Sequence, residues 1–108
     1  MPQLPKLTHV QFAVLGSLTD GNATGRDIRK HLAEAFKFRQ SGPAFYQLMA
    51  RMEDANFVEG WYEQQIVDTQ IIRERRYRIT AVGRRSWNET RKFYAGYGGI
   101  ASTGLAHG

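Results

Sequence analysis

The chain has 108 residues, which is enough for one domain with one core and too short for two. It contains no cysteine, excluding a disulfide framework and thiolate metal sites, and no apolar run approaches the roughly 20 residues needed to cross a bilayer. The net charge of +5 favours polyanionic partners, and the opening segment lacks the apolar core of a signal peptide, so we expect a cytoplasmic protein with no membrane contact.

Residues 1–6 read as a short N-terminal arm with two prolines. Thr8 followed by Gln11 is a capping-box pair, with Leu7 and Phe12 at the flanking staple positions, so a first helix starts here. Val10, Val14 and Leu18 share one helical face, and Asp20-Gly21 is the expected stop. Thr24 with Asp27 caps a second helix, in which Ile28, Leu32, Ala35 and Phe36 recur at helical spacing opposite Arg26, Arg29, Lys30 and Glu34. Lys37 to Gln40 is a connector. A third helix begins at Ser41, with Pro43 in its first turn, where a missing N–H costs nothing. Phe45, Leu48, Met49 and Met52 form its buried stripe. Ala44, Gln47, Ala50 and Arg51 face the other way, with Tyr46 at the flank, and Asn56 is a plausible left-handed terminator.

The periodicity then changes. Residues 57–63 are rich in aromatic and β-branched side chains and read as a strand, although Phe57/Trp61 and Val58/Tyr62 compete for its buried face. Residues 73–80 read as a second strand, with Tyr77 and Ile79 on one face and Arg76 and Arg78 on the other. Residues 64–72 are a hairpin tip or a continuing ribbon; the pairs Ile66-Val67 and Ile71-Ile72 favour the ribbon. Thr80 caps a last helix over 81–94, with Trp87, Thr90 and Tyr94 on one face. Gly83 within it costs about 1 kcal/mol relative to Ala, which a close contact with a neighbouring element would justify. Residues 95–108 read as a glycine-rich flexible tail.

The fold class that follows is mainly α with a small antiparallel β-hairpin: a winged helix-turn-helix of three helices, a two-stranded wing and a C-terminal helix, over residues 7–94. The positive charge gathers late, where Arg73, Arg75, Arg76, Arg78, Arg84, Arg85, Arg91 and Lys92 face only Glu74 and Glu89. A helix fits the major groove and can read base edges there, while a basic hairpin beside it can hold phosphate or the minor groove.

Three segments in order resemble the PadR-like family of transcriptional regulators. The first is Leu7-Thr8, Val14 to Leu18, Asp20-Gly21, Gly25, Ile28 and Leu32. The second is Phe45-Tyr46, Met49, Arg51 to Glu53 and Phe57-Val58. The third is Arg75 to Arg84. Departures include Asn56, where the family usually has glycine, and Arg76, where it prefers tyrosine. The resemblance is to a short form without an extended C-terminal dimerisation domain. It implies a sequence-specific DNA-binding regulator, more often a repressor, acting as a homodimer, with a small-molecule effector in some members.

On this reading double-stranded DNA is met by Ser41, Ala44, Tyr46, Gln47 and Arg51 of the third helix and by Arg73, Arg75, Arg76 and Arg78 of the wing. Gln47 and Arg51 have the chemistry for base edges, although Arg51 could instead pair with Glu53 or Asp54. Trp87 and Tyr94 are assigned to a dimer contact or ligand pocket, with core packing the simpler reading of Trp87. His9, His31 and His107 have no metal-ligand spacing, and no catalytic set or phosphate loop is recognisable, so no metal, cofactor or enzymatic activity is expected. The alternative is a winged-helix protein-interaction module without DNA binding, which would expose apolar residues where the DNA reading needs cations.

Overall fold

The structure, a computed structural model, describes residues 7–101, with side chains described as far as residue 96. The arm at residues 1–6 and the end of the tail at 102–108 lie outside the described residues. Seven elements follow in order: α1 (His9–Gly16), β1 (Ala23–Thr24), α2 (Gly25–Phe36), α3 (Gly42–Asp54), β2 (Val58–Val67), β3 (Gln70–Ile79) and α4 (Ala81–Ala101). Among these residues no helix is long and apolar enough to cross a membrane.

The helix starts follow the caps. The Thr8–Gln11 box closes in both directions, at 3.0 and 3.2 Å. Asp27 N–H donates to Thr24 Oγ1 (3.0 Å), and Ala44 N–H donates to Ser41 Oγ (3.2 Å). The helix ends are less regular. The α-helical part of α1 stops at Gly16, because Ser17 and Thr19 hydroxyls donate to the Val14 and Gly16 carbonyls and carry the chain through turns to Gly21 (φ 148°). Lys37 closes α2 in the left-handed region (φ 56°), and Asn56 adopts it after α3 (φ 64°).

Packing gathers these faces into one core. Val14, Leu15 and Leu18 meet Ile28 and Leu32 of α2 and Phe45, Met49 and Met52 of α3, all buried. Val58 and Tyr77 complete the core from the sheet, which decides the ambiguous first strand in favour of Val58.

The wing departs from the expected two-stranded hairpin at its edge and, toward its tip, follows the continuing ribbon that the Ile66-Val67 and Ile71-Ile72 pairs favour. It belongs to a three-stranded antiparallel sheet ordered β1-β3-β2, because Ala23 and Thr24 pair with Tyr77 and Arg76 along the free edge of β3. A two-residue strand has no periodicity to see. The wing is also a ribbon along its whole length: ten residue pairs run from Val58↔Ile79 to Val67↔Gln70. It is closed by Asp68 and Thr69, both at positive φ (50° and 66°) as a tight I′ hairpin requires. Ile66 and Ile71 stand directly opposite each other near the tip, both largely exposed.

Gly83 meets the close contact its place in a helix called for. A β-carbon there would lie 2.1 Å from the Phe57 carbonyl oxygen, which accepts hydrogen bonds from Thr80 N–H (3.0 Å) and Thr80 Oγ1 (3.1 Å). The helix itself runs to Ala101, past Tyr94, where the flexible tail was expected to begin. Once a helix is nucleated each further residue adds one backbone hydrogen bond, so scattered glycines weaken it without ending it.

Candidate nucleic-acid interface

The buried stripe of α3 leaves Gln47, Ala50, Arg51 and Asp54 pointing outward, with Ala44 half-buried at the N-terminal end. Ser41 is committed to capping. Gln47 and Arg51 form no side-chain hydrogen bond or ion pair among the described residues. Of the two carboxylates expected to compete for Arg51, Asp54 forms no ion pair among the described residues, and Glu53 is engaged elsewhere, accepting from Arg75 of β3 at 2.7 Å with both side chains about a quarter exposed.

This bridge joins the third helix to the wing. Residues directly opposite in the ribbon share a face, so Tyr62/Arg75 and Gln64/Arg73 project with Gly60/Tyr77 toward α3. A β-carbon at Gly60 would sit 2.9 Å from Glu53 Oε1 and 3.0 Å from Arg75 Nη2, so the absent side chain makes room for the bridge. Gly25 plays the same part for Tyr46, whose hydroxyl would lie 2.7 Å from a β-carbon there. Between helix and wing lies a groove of about 670 Å³, lined by Tyr46, Glu53, Tyr62, Arg73, Arg75 and Arg26 among others. The guanidinium of Arg73 lies 4.3 Å from the centre of the Tyr62 ring, and that of Arg75 4.8 Å from it. Beneath them the Tyr77 hydroxyl is buried, which pushes its pKa up to about 12 against the lowering influence of Arg75.

The four wing arginines therefore do not act as one patch. Arg73 and Arg75 face the groove, whereas Arg76 and Arg78 occupy the opposite face of the ribbon. Arg76 donates to Asn22 (2.8 Å), and its Nε lies 3.4 Å from Glu63 Oε2, an ion-pair distance without hydrogen-bond alignment. Arg78 is bridged to Glu59, its neighbour across the strands. Arg73 alone of the four makes no ion pair among the described residues. The expectation of a basic wing needs correction on charge as well: over residues 58–79 the four arginines are matched by Glu59, Glu63, Asp68 and Glu74. A count begun at Arg73 leaves out the acidic first strand.

Trp87 and Tyr94 pack within the chain. Trp87 stacks on Phe12 of α1 (centroids 5.9 Å, planes 17° apart), and Tyr94 touches Phe12 and, edge-on, His9. Arg26, Tyr62 and Glu53 were not expected in the site. Strand alternation places Tyr62 once the register is known, but nothing local shows that Glu53 reaches across 22 residues to Arg75.

No family model matches the chain, and no curated protein matches it. Solved structures do. A PadR family transcription regulator from Clostridium difficile superposes with a TM-score of 0.75 at 17% identity, covering 91% of this chain and 99% of that one. A PadR-like transcriptional regulator from Bacillus cereus gives 0.67 at 20% identity, with 91% and 88% covered. Bacillus subtilis PadR, in a complex with operator DNA, gives 0.62 at 20% identity, over 76% of this chain and 46% of that one. The fold is that of the PadR-like winged-helix regulators. In this PadR-like fold α2 and α3 form the helix-turn-helix, β2 and β3 form the wing, and α4 packs against α1.

Proposed function

We propose that this PadR-like chain is a sequence-specific DNA-binding transcriptional regulator, not an enzyme, with α3 entering the major groove. The observation that carries the reading is the outward face of α3. Its Gln47 and Arg51 are exposed and uncommitted, beside a groove whose walls carry Arg73 and the ion pairs Arg26–Glu74 and Arg75–Glu53. Gln suits the adenine edge and Arg the guanine edge, and a good pair of this kind discriminates by about 1–3 kcal/mol per base. Tyr46 and Arg73 are placed to touch the phosphates that border the groove. Repression is the expected mode. A homodimer, with α4 and α1 at the interface, would hold two recognition helices at the one-turn spacing of half-sites.

The test is an unbiased selection of duplex DNA followed by binding of the selected site and of random duplex. Arg51→Ala is expected to lose roughly 5- to 150-fold on the selected site and much less on random DNA. Equal loss on both would make Arg51 a phosphate contact and move sequence reading elsewhere.

A second reading has its own observation. The exposed Ile66–Ile71 pair on an electrically neutral wing is the kind of surface a protein partner covers, as in a winged-helix interaction module. Ile66→Thr with Ile71→Thr separates the two: DNA binding is expected to survive it, and a protein contact at the tip would not.

A further inference from the structure

Of the wing arginines only Arg73 is without an ion pair among the described residues, so most of the charge that grips the DNA backbone has to come from elsewhere. The wing is neutral, and α3 carries Arg51 against Glu53 and Asp54. The excess is shared between α4, where Arg84, Arg85, Arg91 and Lys92 face only Glu89 but the helix packs on α1, and α2 with its connector to α3, where Arg26, Arg29, Lys30, Lys37 and Arg39 face only Asp27 and Glu34.

Four of these cations are brought together. A groove of about 280 Å³ between α2 and the connector is lined by Arg26, Arg29, Lys30 and Arg39, and no carboxylate lines it. The groove opens beside the start of α3. Arg29 donates to the Gln40 carbonyl (3.1 Å), and its guanidinium would lie 3.7 Å from a β-carbon at Gly42, the first residue of α3. The cationic wall is therefore fixed next to the positive end of the helix dipole. Arg26 lines both this groove and the one between α3 and the wing. Lys30 and Arg39 make no ion pair among the described residues, while Arg26 is held by Glu74 at 2.9 Å.

We propose that this groove is a phosphate site, and that Lys30 and Arg39, seated by Arg29, supply the main sequence-independent grip on the DNA backbone at the rim of the major groove. The proposal rests on the DNA-binding reading and locates its electrostatic part. In a helix-turn-helix the recognition helix enters by its N-terminal end while the preceding helix crosses the backbone, which brings α2 and the connector against phosphate. Each neutralised phosphate releases counterions and contributes about −0.9 to the slope of log affinity against log salt, so the grip has a readout that does not depend on sequence.

The experiment measures anisotropy of a labelled random-sequence duplex of about 30 base pairs against the full chain, from about 50 to 200 mM salt. Lys30→Gln with Arg39→Gln is expected to flatten the slope by about 1.8, each single variant by about half of that, and to weaken selected and random duplexes by the same factor. Arg78→Gln with Glu59→Gln keeps the net charge and is expected to leave the slope unchanged. If the wing pair flattens the slope and the α2 pair does not, the grip is on the wing and the proposal is wrong. If the wild-type chain binds no duplex at low salt, the DNA reading fails and this site with it. A parallel arm adds inorganic phosphate at millimolar concentration without DNA. Thermal stabilisation that disappears in Lys30→Gln with Arg39→Gln would reassign the groove to a free anion; no stabilisation is expected.

Discussion

Glu53→Gln separates what holds the wing to α3 from what attracts DNA, because the two effects run in opposite directions. The bridge to Arg75 is a 2.7 Å charge-assisted bond between side chains 25% and 26% exposed. Such bonds contribute about 1.5–3 kcal/mol when well shielded. Water reaches part of both groups, and glutamine keeps one acceptor, so the expected loss is about 1 kcal/mol, or a melting temperature lower by about 4–8 °C. Binding should move the other way. The substitution removes a negative charge from the wall of the groove and frees Arg75 toward phosphate. At about 1 kcal/mol for unit charges 4 Å apart in water, affinity for random duplex rises about fivefold and the salt slope steepens by about 0.9. Circular dichroism melts and anisotropy titrations on the same preparation read both. A variant that melts with the wild type and binds no more tightly would show that the bridge neither holds the wing nor masks Arg75.

Gly83→Ala should destabilise, although alanine is the better helix former by about 1 kcal/mol. The 2.1 Å approach to the Phe57 carbonyl forces a backbone shift against two hydrogen bonds, and a net loss of about 2–3 kcal/mol is expected in urea unfolding; a gain would mean that α4 and β2 separate easily. Tyr77 predicts an alkaline limit. Its folded pKa of about 12 exceeds the ordinary 10.0, so its contribution is complete below pH 10 and is lost as pH rises toward 12. The loss between pH 9 and 11.5 is about 1 kcal/mol once solvent screening is allowed for, and urea titrations at those two pH values should show it in the wild type and not in Tyr77→Phe. Trp87→Ala removes the ring stacked on Phe12 and should cost about 2–3 kcal/mol in the same assay, somewhat less than a fully buried tryptophan. Light scattering of that variant beside the wild type tests the dimer: a wild-type monomer at tens of micromolar would count against α4 as an interface.

Much of this architecture is legible in local chemistry. Thr8, Thr24, Ser41 and Thr80 each announce a helix by offering a hydroxyl to an orphan N–H, and Asn56 marks the end of α3 because it tolerates positive φ. Gly83 is legible as a close contact because its cost in a helix demands a return. What escapes is whatever depends on pairing between distant segments. The edge pairing of Ala23 and Thr24 is too short for a pattern, and the Glu53–Arg75 bridge exists only once the register puts Arg75 over α3. The placement of Arg76 and Arg78 on the far face of the ribbon from Arg73 and Arg75 follows from strand alternation. Their partners Glu63 and Glu59 do not, because residues on one strand say nothing about which residues of the other lie opposite. The groove along α2 is hidden for a related reason: Arg39 lies in a connector with no periodicity, and only the fold of the turn sets it beside Lys30.

Binding of duplex DNA through the helix-turn-helix is read without any variant from the affinity of the wild-type chain for a selected duplex across a salt series. Tight binding is expected at about 50 mM salt, with a slope of roughly −2 to −5, corresponding to a few neutralised phosphates per chain. Absence of binding at low salt, or an affinity indifferent to salt, would contradict it.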